Sequence, residues 1–368
     1  MNKFQVAGLF CVCRHSDSTC IQNIIHISGV GLRETIRGRL TDSGATAADN
    51  DGLAERMASY VISSKADNTN KKYFANFNRF KAFCVSKGFP YKPADPIHVA
   101  IYLTHLLDSH ASFHVISAAF YSIKWVHEIN CFSDPTSNGW VKSLLEAGKR
   151  LNSNPIKKKD TVDSEMLISL CDKFRDTSDV LYLRDITMIL LGYAGFLRFS
   201  EISQLKCNDI EFKEDYFILY IRKSKTDVYR DGKEVLISKG VSSACPHSML
   251  LRYLDASGQD NTLDMYLFRP VNRYKGRAKL LAANKQLSYT RARECIVEKL
   301  RLVAPTLNLG THSLRASGAT MVANAEGHDN INERCLLRHG RWKSSMSKDG
   351  YVKDSVEKRL SVTKKLKL

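Results

Sequence analysis

Two things this 368-residue sequence lacks narrow its class at once. Its ten cysteines, at 11, 13, 20, 84, 131, 171, 207, 245, 295 and 335, include no CxxC pair and no repeating spacing. That argues against zinc modules and a disulfide framework, and it suits a reducing compartment. Cys335 with His339, and His110 with His114, have ligand-like separations but read as unrelated neighbours, so neither a metal nor a cofactor is expected. Long apolar runs are missing too. The longest, from Ile186 to Leu197, is interrupted by Gly192 and Gly195 and falls short of the roughly 20 residues that span a bilayer. Val6 to Cys13 is a poor signal-peptide core, and no membrane partner is expected.

Acid is in deficit as well: 38 Asp and Glu stand against 55 Lys and Arg, for a net charge of +17. Residues 1–160 hold 20 basic and 13 acidic side chains and the remainder 35 and 25, so both halves are basic. A polyanion held between two basic halves would explain this, and nucleic acid is the commonest polyanion. A generally basic, soluble surface is the plainer alternative. Hydrophobic content of 43% and charged content of 25% are ordinary for a soluble globular protein, and the length suits two domains.

Residues 1–50 show no sustained period and end in a Ser/Gly/Ala/Asp stretch, which reads as a flexible lead-in. From there the pattern is helical. Asn68 or Thr69 caps a helix carrying Tyr73, Phe74, Phe77, Phe80 and Phe83 and closing before Gly88. Asp95-Pro96 opens a second over Ile97 to Leu107, Ser112 a third to about Ile129, and Asp134-Pro135 precedes a last one ending near Leu151. Residues 51–151 are thus a small all-α unit. Its aromatic stripe reads as core, leaving Lys71, Lys72, Arg79, Lys81, Lys124, Lys142, Lys149 and Arg150 as candidate phosphate contacts. Residues 152–162, with Lys157, Lys158 and Lys159, form a polar linker whose lysines suit a nuclear address or a soluble hinge.

The second domain, 163–368, is mixed. Asp163 or Ser164 starts a helix, and Val180 to Leu191 is apolar enough to be central. Arg198 follows at a glycine-punctuated turn between apolar stretches, where a guanidinium is costly unless paired; Glu201, one turn on, can pair it. Tyr216 to Ile221 and Glu234 to Ile237 read as strands around the basic turn 222–227. Beyond Cys245 the chain reads as helical, with exposed basic runs at Arg269 to Lys279 and Arg291 to Arg301. In Thr311-His312-Ser313-Leu314-Arg315, His312 and Arg315 share a helix face and can reach one anion. Leu314, Gly318, Met321, Val322 and Ala325 recur at helical spacing behind them. Arg338-His339-Gly340-Arg341-Trp342 and then Tyr351 complete the segment.

This C-terminal text resembles the tyrosine recombinases, the phage-integrase-like enzymes, whose second box reads His-x-x-Arg, then His or Trp, then Tyr nine residues later. Trp342 and Tyr351 have that separation, and the wording of 339–344 and 348–354 is similar to eukaryotic mobile-element recombinases of the Crypton and DIRS type. Gly192 to Ile202 resembles the family's first box. The interval from Arg315 to Trp342 is longer than in compact bacterial members, with 326–330 as the insertion. His339 competes with Trp342 for the sixth position, and the nine-residue step favours Trp342.

The resemblance implies a mainly α protein. A helical core-binding domain would hold one side of the duplex, the linker would cross the DNA backbone, and a mixed α+β catalytic domain would carry a small antiparallel sheet. It implies strand cleavage by Tyr351 through a 3′-phosphotyrosyl link, with Arg198 and Arg315 forked onto the non-bridging oxygens. Lys225 on the hairpin, with Lys223 as competitor, would protonate the 5′-oxygen. His312 would assist proton transfer, and Trp342 would donate to the phosphate or wall the pocket. Glu201 and His339 would stand behind these groups. The partner implied is double-stranded DNA, bound by a homo-oligomer that is a dimer on one site and a tetramer in synapsis. The location is nuclear for a eukaryotic element and otherwise cytoplasmic. A domesticated, non-cutting DNA binder and a type IB topoisomerase are the competing readings.

Overall fold

The computed structural model describes residues 31–44, 47–152, 159–222, 232–274, 276–325 and 331–366. Contacts divide the chain into two units, 1–156 and 157–368.

The first unit is helical: α1 (Leu32–Asp42), α2 (Ala47–Ser63), α3 (Asp67–Lys87), α4 (Pro96–Asp108), α5 (Phe113–Ile129) and α6 (Gly139–Leu151). Phe74, Phe77, Phe80 and Cys84 form the buried stripe of α3, and Phe74 packs on Trp125 of α5 with ring centroids 5.1 Å apart. Gly88, at φ 71°, ends α3 in the left-handed conformation glycine tolerates. Asp95 caps α4 by accepting from the Ile97 amide at 2.9 Å. Three expectations shift. Neither Asn68 nor Thr69 caps α3, which starts after Ala66; nearby Asn70 is buried and donates to the carbonyls of Ile62 and Lys65. Asp134-Pro135 opens only a short 3₁₀ turn, Pro135–Ser137, and Asn138 caps α6. Within the lead-in, 32–42 is helix, and Leu32 and Ile36 are buried in the core; two apolar positions four apart were too few to show a period.

In the second unit α7 (Ser164–Lys173) and α8 (Val180–Ala194) are capped by Asp163 and Asp179. Every residue of α8 from Leu183 to Gly192 is buried, as a helix apolar nearly all round must be. The Arg184–Asp185 ion pair, 2.7 Å long, lies inside the same core. Beyond α9 (Phe199–Ile202), strands β1 (Ile210–Phe212), β2 (Tyr216–Ile221) and β3 (Lys233–Ser238) form an antiparallel sheet in the order β1-β2-β3. Phe217, Leu219 and Ile221 alternate inward from β2, with Val235 and Ile237 beside them from β3. The rest is α10 (Pro246–Ser257), β4 (Val271–Tyr274), β5 (Arg277–Leu280), α11 (Tyr289–Arg301), α12 (Thr311–Asn324), α13 (Glu333–Gly340), α14 (Ser345–Asp349) and α15 (Val356–Lys364).

The chain beyond Cys245 is therefore not wholly helical, since β4 and β5 form an antiparallel hairpin. Arg269 is not exposed either: it is buried, donating to the Leu281 carbonyl and to Gln259. Lys299 is buried beside Glu298, whereas Met321 is 44% exposed and leaves the core face of α12. The stretch just before α7 is no simple tether, because Val162 is buried and its amide donates to Ser317 Oγ at 2.8 Å. No helix among the described residues is long and apolar enough to cross a membrane.

Candidate active site

The site is built where α8 ends. The chain leaves α8 through Gly195, passes Phe196 at φ 46° and enters α9 at Arg198. Helix α12 approaches this turn closely because Gly318 has no side chain; a Cβ there would lie 2.3 Å from the Tyr193 carbonyl and 2.6 Å from the Phe196 ring. Gly340 plays the same part at the end of α13, where a Cβ would meet the Trp342 ring at 1.9 Å. Two bare backbone positions thus let α12, the 195–198 turn and the Trp342 indole converge.

Arg315, fully buried, donates through its two terminal nitrogens to the carbonyls of Phe196 and Gly340. Its guanidinium lies 4.6 Å from the Trp342 ring centroid and 4.9 Å from that of Tyr351, and the two rings are 5.8 Å apart. Arg198 donates to Glu201 Oε1 at 2.7 Å, and its backbone amide donates to Oε2 at 2.9 Å. Arg341 is buried as well, donating to the same Oε2 at 2.9 Å and to the carbonyls of Gly195, Phe196 and His339. Two guanidiniums, those of Arg198 and Arg341, therefore share one carboxylate, while the third, Arg315, is held by carbonyls.

That imbalance sets the electrostatics. Burial works to raise the Glu201 carboxyl, but Arg341 and then the Arg198 amide and guanidinium outweigh it and hold it below the usual carboxylate range. Burial, with repulsion from Arg198 and Arg341, pulls Arg315 down to about 9. It stays a cation at neutral pH, but one lacking a full counter-charge. An anion brought against Arg198 and Arg315 would supply it. Among the described residues the buried Nε of Arg315 and the buried indole nitrogen of Trp342 have no hydrogen-bond partner, so unspent donors face the same need.

Tyr351 is held from both sides. Its amide bonds to the Lys348 carbonyl at 2.8 Å, and Lys348 pairs with Glu333 at 2.6 Å. Downstream, the Lys353 amide donates to Thr320 Oγ1 and the Lys353 carbonyl accepts from Asn324. The tyrosine ring thus stacks on Arg315 of its own chain.

Of the sequence candidates, Arg198, Glu201, Arg315, Trp342 and Tyr351 come together. His312 sits one turn before Arg315 on α12 and is exposed. His339 turns away, its Nε2 2.7 Å from the Ala194 carbonyl and its ring edge-on to Phe196 at 4.7 Å. Burial, together with Arg341 and Arg315, lowers its pKa. Lys225, its competitor Lys223, and Lys157 and Lys158 lie outside the described residues. Lys71, Lys72, Arg79, Lys142, Lys149 and Arg150 are exposed on the first unit. Lys124 is engaged by Glu128 and Asp134, and Lys81 lies over the Tyr91 ring at 5.0 Å. Lys159 bonds to Asn308 at 2.5 Å. Sequence reasoning assigned nothing to Arg341. The signal was the lone Glu201 of the first box set against Arg198 there and Arg315, Arg338 and Arg341 in the later segment.

Residues 161–339 match the model of the phage integrase family, so the second unit carries a phage integrase, or tyrosine recombinase, domain. That class of enzyme cleaves and rejoins DNA. The chain is 28% identical over 313 residues to an integrase/recombinase xerD homolog of Selenomonas ruminantium, covering 84% of this chain and 88% of that protein. Its fold is that of XerH site-specific recombinase, solved in a post-cleavage complex with a palindromic difH substrate. The TM-score there is 0.52 at 13% identity, covering 93% of this chain and 95% of that one. A lambda integrase tetramer bound to a Holliday junction gives a TM-score of 0.45 at 14% identity, covering 79% and 73%. The matched segment stops short of Trp342 and Tyr351, whose place in the site rests on the geometry above.

Proposed function

We propose that this chain is an active site-specific DNA recombinase that cuts and rejoins duplex DNA through Tyr351, and that it serves a mobile element. The observation that carries the reading is Arg315, buried yet short of counter-charge, with the Trp342 and Tyr351 rings against it and Arg198 linked to it through Glu201, Arg341 and the Phe196 carbonyl. A phosphodiester seated on Arg198 and Arg315 would be in reach of a phenol. Attack by the Tyr351 oxygen forms the 3′-phosphotyrosyl bond and breaks the bond to the 5′-oxygen, which takes a proton. The phenol proton leaves with assistance from His312, and Lys225 is the acid for the leaving group. The two guanidiniums and the free Trp342 donor offset the charge gathering on the pentavalent phosphorus. Rejoining runs the same steps backwards, so the bond energy is kept and no ATP is consumed. Synapsis of two sites by a homo-oligomer, and action in a nucleus, belong to the same proposal. The matching relative's name, the fold of XerH and the basic composition support it.

The test is to incubate the full chain with a randomised pool of nicked duplexes that trap the cleaved state, denature in detergent, and sequence the DNA left attached. Attachment of one defined sequence to the wild type and none to Tyr351→Phe is expected. Salt-sensitive binding with no covalent complex on any sequence would mean a non-cutting DNA binder. Relaxation of supercoils without crossover would mean a topoisomerase.

A further inference from the structure

Arg341 is a charged side chain of this site that the chemistry above leaves without a task. It is 6% exposed, and its backbone is left-handed at φ 55°, a turn that glycine would make without strain. What arginine adds there is its guanidinium, and every bond that group makes runs inward. It reaches Gly195 O at 3.1 Å, Phe196 O at 2.9 Å, His339 O at 2.8 Å and Glu201 Oε2 at 2.9 Å. Two of these acceptors are shared. The Phe196 carbonyl also takes a terminal nitrogen of Arg315, and the Glu201 carboxylate also takes Arg198. Arg341 therefore touches, through one intermediary each, both guanidiniums that would meet the phosphate.

We propose that Arg341 is a positioning residue for DNA cleavage, fixing Arg198 through Glu201 and Arg315 through the Phe196 carbonyl. This rests on the recombinase reading given above. A planar fork with five donors can hold a carboxylate and three carbonyls at once; a lysine ammonium cannot. Without Arg341, Glu201 keeps Arg198 but can rotate about that single partner, and the Phe196 carbonyl is held by Arg315 alone. Both guanidiniums are then free to sample orientations that miss the phosphate, so the loss falls on the reacting step rather than on DNA affinity.

The variant is Arg341→Gly, which suits the left-handed backbone and removes the guanidinium with the rest of the side chain, with Arg341→Lys as the charge-conserving partner that keeps the stem. On the trapping duplex the wild type selects, Arg341→Gly is expected to bind DNA within about threefold of wild type. Its single-turnover cleavage at saturating enzyme should fall by about a hundredfold. Arg341→Lys should recover only a small part of that rate. Adding Glu201→Gln to Arg341→Gly should cost less than the product of the two single losses, because the residues act as a unit. Wild-type cleavage by Arg341→Gly, or fully multiplicative losses, would overturn the role. A wild type that forms no covalent complex would instead count against the recombinase reading. The positioning role is then decided without DNA, by the Nε–H resonances of Arg198 and Arg315. They should shift or broaden in Arg341→Gly, and unchanged resonances would sink the proposal. If Arg341→Gly does not fold, Arg341→Lys decides by the same readouts.

Discussion

At the residue scale the site is a problem of too much positive charge in too little water, and the protein solves only part of it. Among the described residues Glu201 is the single carboxylate bonded to Arg198 and Arg341, and its low pKa ties stability to pH. A carboxyl held below its unfolded value contributes stability that is complete above that value and is lost as pH falls through the folded one. His339 is also lowered, by burial first, so its contribution too is complete above the ordinary histidine value near 6.5 and declines as pH falls below it. Stability should thus begin to drop on the acid side of about pH 6.5 and drop further through the carboxylate range. In urea titrations His339→Gln, which can still donate to the Ala194 carbonyl, should flatten the first decline and leave the second. A first decline unchanged in the variant would mean His339 is not the group responsible. Glu201 and Arg198 were legible in the sequence because a buried arginine needs a partner, and four residues held both. Arg341 was not legible, because apart from the His339 carbonyl its partners lie 140 or more positions back in the chain and are mostly carbonyls.

At the scale of elements, the sequence showed best what has a strong period. The aromatic stripe of α3, the apolar run of α8 and the alternating strand β2 all stand where the pattern put them. Elements carried by few apolar residues were missed: α1, with Leu32 and Ile36 as its buried pair, and the hairpin β4–β5, whose exposed Asn272, Arg273 and Tyr274 gave no alternation. The close approach of α12 to the 195–198 turn was half legible, since the small residues of 316–319 announced close packing but not its partner. That approach makes a sharp prediction. At Gly318 the nearest obstacle to a Cβ is the Tyr193 carbonyl, a backbone atom that cannot swing aside. Gly318→Ala should therefore cost about 1–3 kcal/mol by overpacking, read as a lower urea midpoint, and should slow cleavage because α12 carries both His312 and Arg315. Gly139→Ala, where a Cβ meets nothing within 4 Å among the described residues, is the control and should leave cleavage untouched. Equal behaviour of the two variants would show that the contact does not govern the site.

At the scale of the whole molecule the question is what the surplus of 17 positive charges does. Charge alone left two readings open, a DNA surface or a merely soluble one, and side-chain partners say which lysines a salt series should probe to separate them. Lys71, Lys72, Lys142 and Lys149 are exposed on the first unit, whereas Lys124 lies within 3.6 Å of Glu128 and 3.4 Å of Asp134. A lysine already neutralised by two carboxylates releases little from the DNA counterion atmosphere. A lysine that meets a phosphate contributes about 0.9 to the slope of log affinity against log salt. Replacing the four exposed lysines by glutamine should then flatten that slope by up to about 3.6 if each contacts a phosphate, and Lys124→Gln should leave it nearly unchanged. The measurement is duplex binding by the full chain across a salt series. Parallel lines for wild type and the fourfold variant would place the DNA on other faces and return these lysines to the solvent. Tyr351→Phe should bind along the wild-type line, because the nucleophile's oxygen contributes to cutting the backbone and not to neutralising it.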